Sequence, residues 1–180
     1  VALAGAWKLN KLIALYDDNG ISIDGQVTPW FIDNTALRFT ACGWNVIGPI
    51  DGHDADVVDR AISDAKNKAD GPTLIICKTH IGKGSPNRAN TAKAHGEPLG
   101  GEEIQLTREA LGWMHKPFDV PKDVYAAWDA KDAGKAAEAE WNTKFAAYKA
   151  AFPELAKEFV RRMKGDLPKN FAQVAVDAAV

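Results

Sequence analysis

Three short apolar runs alternate with two stretches of helical pattern in the first part of the chain. The runs are residues 12–16, 44–47 and 73–78, and the helical stretches between them are residues 35–41 and 53–68. This alternation is typical of an open α/β sheet, and right-handed crossovers place all three strands parallel. We therefore predict a parallel sheet with helices packed against it, and no other feature of the chain limits the fold as strongly.

Beyond the third apolar run the pattern changes. Residues 79–101 contain five glycines and two prolines without periodicity, and a loop of this length inside a compact domain is usually functional or disordered. A short helix is predicted at 102–114 and an extended segment at 117–121, and the remainder of the chain is predicted to be helical. A stripe of apolar side chains that steps by four and three residues predicts a helix buried on one face: Trp141, Phe145, Tyr148, Phe152, Leu155 and Phe159. Pro153 interrupts the stripe, so a second helix is predicted to begin there.

Charge and cysteine content exclude several classes of function. The 22 basic and 24 acidic residues are interspersed, which leaves no basic patch for nucleic acid. No apolar run approaches the roughly 20 residues needed to cross a bilayer. Cys42 and Cys77 have no spacing typical of a zinc site, and buried free thiols of a reducing compartment are the preferred interpretation. We expect a cytoplasmic protein with neither nucleic acid nor membrane as a partner.

The loop after the first apolar run is a candidate site, because ligands of such sheets bind beyond the carboxyl ends of the strands. Its Asn19-Gly20 pair favours a simple β-turn. The alternative is a hard cation such as Mg²⁺, held by the Asn19 amide oxygen and a nearby backbone carbonyl. The long loop after the third run lies at the same edge and is the second candidate.

Five segments of the chain resemble the transketolase family, in the family's order. They are KLIALYDDNGISIDGQV, RFTACGWNVIGPIDGHD, GPTLIICKTHIGKGSPN, HGEPLGGEEIQLTREALGW and WNTKFAAYKAAFPELAKEF. The first is similar to the second half of the family's thiamine-diphosphate fingerprint, which favours the cation over the simple turn. The resemblance covers nearly the whole chain. It implies an incomplete thiamine-diphosphate-binding fold, an open parallel sheet followed by a helical C-terminal segment.

The resemblance implies roles for five positions. Asn19, through its side-chain oxygen, and Ile21, through its backbone carbonyl, match ligands of Mg²⁺ or Ca²⁺. Ile23 and Ile81 match apolar residues that pack on the cofactor, where they keep water from the reacting carbon. His95 matches a histidine between the diphosphate and the substrate and is the expected catalytic residue.

Other histidines and one departure from the family receive separate interpretations. The family commonly carries a further histidine three positions before the one matched by His95, and this chain has Ala92 there. The contacts of this loop with substrate or diphosphate therefore stay open. His53 is expected at the start of a helix, and the sequence identifies no partner for His80 or His115.

Parts of the family's active site are not encoded in these 180 residues. The fingerprint begins with Gly-Asp-Gly, whose aspartate is the third protein ligand of the cation, and that tripeptide does not occur here. The pyrimidine-binding domain, which a partner subunit contributes in the family's homodimer, is also missing. We expect an internal piece of a longer protein that is inactive alone. Residues 1–101 belong to the diphosphate-binding α/β domain, 102–165 continue it as helices, and 166–180 start the linker to the missing domain.

The implied activity of the parent protein is thiamine-diphosphate-dependent transfer of a two-carbon ketol unit from a ketose phosphate to an aldose phosphate. This is a reaction of the pentose phosphate pathway, and sugar phosphates are its substrates. A dihydroxyacetone synthase-like transferase and a non-catalytic assembly module with the same fold are the alternatives. The presence of Asn19, Ile21 and His95 favours an enzyme over the module.

Overall fold

A parallel sheet of three strands confirms the architecture predicted from the apolar runs. The computed structural model describes residues 1–68 and 70–179. The strands are β1 (Ile13–Asp18), β4 (Asn45–Asp51) and β5 (Thr73–Lys78), with β5 paired in parallel to β1 on one side and β4 on the other. Two very short strands, β2 (Ile21–Ser22) and β3 (Gly25–Gln26), form an antiparallel hairpin directly after β1.

The centre of the core lies on β5, because this strand has a neighbour on each edge and side chains packed on both faces. Successive strand residues point to opposite faces. Ile75 and Cys77 pack with Ala61 and Ala65 on one face. On the other face, Leu74 and Ile76 pack with Trp44.

In the described part of Val1–Met114, which is one unit of the fold, there are five helices. They are α1 (Ala2–Ala6), α2 (Thr35–Ala41), α3 (Ala55–Lys68), α4 (Lys93–Gly96) and α5 (Gly101–Ala110). The bounds of α2 are as predicted, whereas α3 begins two residues later than predicted because the Asp54 carboxylate accepts the N–H groups of Asp56 and Val57. The predicted helix 102–114 ends earlier, at Ala110, since Gly112 adopts a positive φ of 66°.

The second unit, His115–Val180, contains four helices in its described part. They are α6 (Lys122–Trp128), α7 (Lys131–Ala151), α8 (Pro153–Met163) and α9 (Phe171–Ala179). Pro153 begins α8, as predicted. The division of the chain at 101/102 and the linker at 166–180 stay predictions. Helix α9 lies within that proposed linker, and Val180 lies outside the described residues.

The aromatic stripe joins α7 to α8, but the prediction of a buried face was wrong within this unit. The Phe145 and Phe159 rings lie 5.6 Å apart, and Trp141 lies 6.3 Å from Phe159. Trp141 is nevertheless 53% exposed and Phe152 52% exposed. Two packed helices bury the sides of these rings that face each other, and the sides that face neither helix stay exposed.

Both cysteines are free thiols, in agreement with the sequence prediction, and Cys77 is buried. Burial raises the pKa of the Cys77 thiol, and the nearby Asp17 carboxylate raises it further. Within residues 1–68 and 70–179, no helix has the length and hydrophobicity needed to cross a membrane.

Candidate functional site

The loop after β1 folds into a tight hairpin that orients the Asn19 side chain. Asn19 Oδ1 accepts a hydrogen bond from the Ile21 N–H at 2.9 Å. Gly20, between them, adopts a φ of 73°, which L side chains rarely adopt. Asn-Gly therefore does form a local turn of the kind that asparagine side chains stabilise. The turn and the cation are compatible, since the Asn19 oxygen keeps a second lone pair.

The backbone of Ile21 points to the side of the hairpin on which Asn19 lies. In the ladder Ile21 pairs with Gln26, and the Val27 N–H donates to the Gly20 carbonyl at 3.0 Å. Hydrogen-bonded and non-hydrogen-bonded pairs alternate in an antiparallel ladder, so the Ile21–Gln26 pair is non-hydrogen-bonded. The N–H and C=O of Ile21 therefore both point away from β3, and its N–H reaches Asn19 Oδ1.

This arrangement suits part of a hard-cation site. The carbonyl oxygen of Ile21 and the amide oxygen of Asn19 lie at one edge of β2, and both are ligand types that Mg²⁺ and Ca²⁺ accept. Among the described residues, no group of three or more His, Cys, Asp or Glu side chains is arranged to hold a metal ion. The Asn19 and Ile21 oxygens are both neutral, and their role as ligands of a cation stays a prediction.

Ile23 and Ile81 occupy different positions with respect to solvent. Ile23 lies in the hairpin turn between β2 and β3 and is 67% exposed. Ile81 lies in the loop after β5 and is half-buried. When a ligand covers an apolar side chain as exposed as Ile23, the removal of its surface from water favours binding.

The loop after β5, residues 79–101, is joined to the end of β1 by two side-chain contacts. Thr79 Oγ1 donates a hydrogen bond to the Asp17 carboxylate. Lys78 Nζ donates to Asp18 Oδ2 at 2.9 Å. Since β1 and β5 are parallel neighbours, their carboxyl ends meet at one edge of the sheet, and the two candidate loops start side by side.

A pair of histidines joins the same loop to the end of β4, and sequence reasoning missed it. The His80 N–H donates to His53 Nε2 at 2.8 Å, and the two rings stack with centroids 5.8 Å apart. His80 Nδ1 lies 3.1 Å from Asn90 Oδ1. His53 precedes α3, as expected, but its imidazole serves as an acceptor for the loop. No local signal connects positions 53 and 80, because the contact depends on β4 and β5 being adjacent.

Inside the loop, backbone contacts bring Ile81 close to the short helix α4, which carries His95. The Asn90 N–H donates to the Ile81 carbonyl at 3.0 Å. Gly82 has a φ of 67°, and a Cβ at this position would lie 3.0 Å from the Cβ of Ala94. His95 is exposed. Its imidazole makes no hydrogen bond or ion pair with any described residue, and it therefore does not contact Asn19 in this way.

The buried carboxylate of Glu103 in α5 binds the loop at Ser85 and Asn87. Glu103 Oε1 accepts from Ser85 Oγ at 2.5 Å and from the Asn87 N–H at 2.8 Å, and Oε2 accepts from Asn87 Nδ2 at 2.9 Å. These donors, first the Ser85 hydroxyl and then Asn87, lower the pKa of Glu103. Sequence reasoning did not single out Glu103, because nothing local distinguishes it from the exposed Glu102 beside it.

Transketolases are among the known proteins that match the chain. The family model described as "Transketolase, thiamine diphosphate binding domain" matches residues 1–168. Transketolase 1 of Escherichia coli (strain K12) is 59% identical over 170 residues, which are 94% of this chain and 26% of that protein. Transketolase 1 of Vibrio cholerae is 57% identical over the same shares of the two chains.

Solved structures give the same result. The transketolase from Leishmania mexicana matches with a TM-score of 0.84 and 37% identity, over 93% of this chain and 25% of that one. The Pichia stipitis transketolase in complex with sedoheptulose-7-phosphate matches with a TM-score of 0.83 and 36% identity, over 96% of this chain and 26% of that one.

The chain spans about a quarter of the length of the curated relatives that it matches. The family and the α/β fold predicted from the sequence are confirmed, whereas the roles of the individual site residues stay predictions. Because the family model covers residues 1–168 and the fold matches solved transketolases, the chain belongs to the transketolase family, in the part that forms the thiamine diphosphate binding domain.

Proposed function

We propose that the protein carrying this chain transfers a two-carbon ketol unit from a ketose phosphate to an aldose phosphate, with thiamine diphosphate and Mg²⁺ (or Ca²⁺) as cofactors. The observation that carries the proposal is the Asn19–Ile21 turn at the carboxyl end of β1, where a side-chain oxygen and a backbone carbonyl share one side of the hairpin. When bound, thiamine diphosphate supplies the carbanion chemistry, and the protein supplies position and electrostatics.

Asn19 and Ile21 hold the cation in this proposal. A hard divalent ion bound by the Asn19 amide oxygen and the Ile21 carbonyl neutralises part of the charge of a diphosphate beside it. The Asn19 side chain is pre-oriented by the Ile21 N–H at 2.9 Å, which lowers the conformational entropy lost on binding. These two ligands are neutral, so the carboxylate of the family's Gly-Asp-Gly is needed in addition.

Ile23 and Ile81 exclude water in this proposal. Both are apolar; Ile23 lies in the hairpin that follows β1, and Ile81 lies in the loop that follows β5, the parallel neighbour of β1. Water-free surroundings strengthen every electrostatic interaction near the reacting atoms.

His95 is the residue that we propose for proton transfer or charge stabilisation. Its imidazole has no hydrogen-bond partner within the described residues, so both ring nitrogens are available to a phosphate or a sugar oxygen. An imidazole can both donate and accept a proton. Because Ala92 occupies the position of the family's second histidine, we assign this proton transfer or charge stabilisation to His95 of α4 without a second histidine beside it.

We also propose that the parent protein is a cytoplasmic homodimer of the pentose phosphate pathway. The free thiols Cys42 and Cys77 support a reducing compartment. The homodimer follows from the family resemblance, since the site requires a pyrimidine-binding domain from a partner subunit. The relatives named above are transketolases, which favours this activity over dihydroxyacetone synthase-like transfer and over a non-catalytic module.

The test uses the full-length protein that carries this chain, first stripped of cofactor and metal with a chelator. Ketol transfer between a ketose phosphate and an aldose phosphate should return only when thiamine diphosphate and Mg²⁺ are added together. Transfer to formaldehyde but not to aldose phosphates would establish the dihydroxyacetone synthase-like alternative. Cofactor binding without transfer to any acceptor, or no binding at all, would show that the proposed activity is wrong.

The 180-residue chain alone provides a second test. We expect it neither to transfer ketol units nor to bind thiamine diphosphate tightly, because it encodes two neutral ligands without the carboxylate, and affinity for hard cations rises with the number of charged ligands. Calorimetric titration with thiamine diphosphate and Mg²⁺ measures this, and micromolar binding would contradict it.

A further inference from the structure

The loop of residues 79–101, termed the cofactor loop below, is fastened to α5 through one buried carboxylate. We infer that Glu103 is a positioning residue that sets the cofactor loop, and with it Ile81 and His95, for binding thiamine diphosphate. This inference rests on the proposed function. It concerns a residue that touches none of the oxygens assigned to the cation and that acts through the loop alone.

The carboxylate of Glu103 is committed to the loop with both oxygens. It accepts three hydrogen bonds, from the Ser85 hydroxyl and from the backbone and side-chain N–H groups of Asn87. Glu103 is 7% exposed and Ser85 is 3% exposed, so water does not replace a lost partner there. Hydrogen bonds to an ionised acceptor are about twice as strong as neutral ones, and donors left unpaired in a buried place are costly.

A second contact fastens the same stretch of the loop to the other end of α5. Gly84 lies so close to Leu111, the residue after α5, that a Cβ at Gly84 would be 2.5 Å from Leu111 Cδ2. The stretch 84–87 is therefore held against both ends of one helix. A helix is a rigid support, and sites supported by rigid elements are held more accurately than sites on free loops.

Backbone bonds carry this constraint to the residues of the candidate site. The Ala89 N–H donates to the Ser85 carbonyl at 3.2 Å, and the Asn90 N–H donates to the Ile81 carbonyl at 3.0 Å. Ile81 is followed by Gly82, which lies against Ala94 of the helix that carries His95. Loss of the Glu103 contacts releases the middle of this chain of bonds while leaving Thr79 tied to Asp17.

The experiment compares three variants of the full-length protein. Glu103→Ala removes all three bonds. Glu103→Gln keeps the shape, because its amide oxygen accepts from Ser85 and the Asn87 side chain can turn its own oxygen toward the new amide. Glu102→Ala is the matched control, since Glu102 is an exposed carboxylate in the same turn of α5.

Three quantities are measured on each variant: the Kd for thiamine diphosphate in the presence of Mg²⁺, kcat at saturating cofactor, and the hydrogen exchange of the Asn87 and Asn90 amides. For Glu103→Ala we expect a Kd raised about 10-fold, the lower end of what supporting residues contribute around metal sites, together with faster exchange. At saturating cofactor, kcat should fall less than the affinity does. Glu103→Gln should lie close to the unsubstituted protein, and Glu102→Ala should match it.

The outcomes separate this inference from the proposed function. Faster exchange in Glu103→Ala with an unchanged Kd would overturn the inference, because the clamp would then be structural only. An unsubstituted protein that binds no thiamine diphosphate would overturn the proposed function and the inference with it. If Glu103→Ala does not fold, Ser85→Ala, which removes a single bond, replaces it. A Kd raised several-fold in that variant supports the inference, and an unchanged Kd overturns it.

Discussion

The amide oxygen of Asn19 accepts the N–H of Ile21 at 2.9 Å, in a hairpin that turns the peptide groups of Ile21 away from its partner strand. One short turn thus places a side-chain oxygen and a backbone carbonyl on the same side, immediately beyond the carboxyl end of β1. The same hydrogen bond that shapes the turn orients the candidate ligand. Local stability and ligand geometry therefore depend on a single side chain.

Replacement of Asn19 by alanine in the full-length protein should weaken Mg²⁺-dependent binding of thiamine diphosphate by at least about 10-fold, since even residues that only support a metal ligand contribute this much. Calorimetry with and without Mg²⁺ measures the effect. The matched control is Asn34→Ala, because Asn34 Oδ1 likewise accepts a backbone N–H, that of Leu37 at the start of α2, at 3.0 Å. Asn34→Ala should cost about 1 kcal/mol of stability and leave the cofactor affinity unchanged. Equal affinities for both variants would remove Asn19 from the cation site.

Replacement of His95 by alanine should lower kcat/KM by about 10²–10⁴-fold if the imidazole transfers a proton or stabilises developing charge. Lys93→Ala is a suitable control, since Lys93 is an exposed residue of the same short helix. A control with kinetics like those of the unsubstituted protein shows that α4 tolerates substitution. Unchanged kinetics of His95→Ala on both substrates would exclude His95 from the mechanism.

The elements that local sequence pattern determines could be predicted, and the contacts that depend on sheet order could not. The strand Thr73–Lys78 and the helix Thr35–Ala41 have the predicted bounds. Apolar periodicity and turn residues report on a chain segment and its immediate neighbours. The central position of β5 is not encoded in any one segment, so its pairing with both β1 and β4 emerged only from the structure.

The candidate site divides in the same way. Asn19 and Ile21 lie two residues apart, and their geometry follows from a local Asn-Gly turn, which the sequence indicates. The contacts of Thr79 with Asp17 and of His80 with His53 join residues far apart in the chain, 62 and 27 positions respectively. Such contacts exist only once parallel strands have been placed side by side, and for that reason they were missed.

Acid should weaken the helix α8 through Glu158. Arg161 and Arg162 both donate hydrogen bonds to this carboxylate. These bonds, that of Arg161 more than that of Arg162, lower the pKa of Glu158 from 4.5 to about 2. A carboxyl group whose pKa is lower in the folded than in the unfolded state stabilises the fold at pH values above its pKa in the unfolded state. This contribution is lost as the pH falls through its pKa in the folded state. At pH 7 the melting temperature of the unsubstituted protein should therefore exceed that of Glu158→Gln. The difference between the two should shrink as the pH is lowered from 4.5 to 2.

Glu154→Gln is the control for this pH dependence. Glu154 lies in the same helix, and its ion pair with Lys157 is long, at 3.8 Å, and exposed. Exposed pairs of this kind contribute little to stability. Its substitution should leave the pH profile of the melting temperature unchanged. A profile for Glu158→Gln that parallels the unsubstituted protein over the whole range would contradict the expectation.

Two helical glycines should respond to alanine in opposite directions. Gly5, in α1, is buried against the end of α2, and a Cβ there would lie 1.7 Å from the Cys42 carbonyl oxygen. The backbone of one helix would have to move, so Gly5→Ala should destabilise the fold by about 3 kcal/mol, the upper end of the usual cost of overpacking. At Gly134, in α7, a Cβ would have no neighbouring atom within 4 Å, and Gly134→Ala should stabilise by roughly 0.5–1 kcal/mol.

The comparison isolates packing from helix propensity, since both substitutions add the same methyl group to a helical position. Propensity alone predicts a gain at both sites. The structure predicts a gain at Gly134 and a loss at Gly5, because only Gly5 has a carbonyl oxygen in the space that the methyl group needs. Urea unfolding of both variants, with equal m-values as the check on two-state behaviour, measures the two free energies. A gain in stability for Gly5→Ala would show that α1 does not pack against the end of α2 as described.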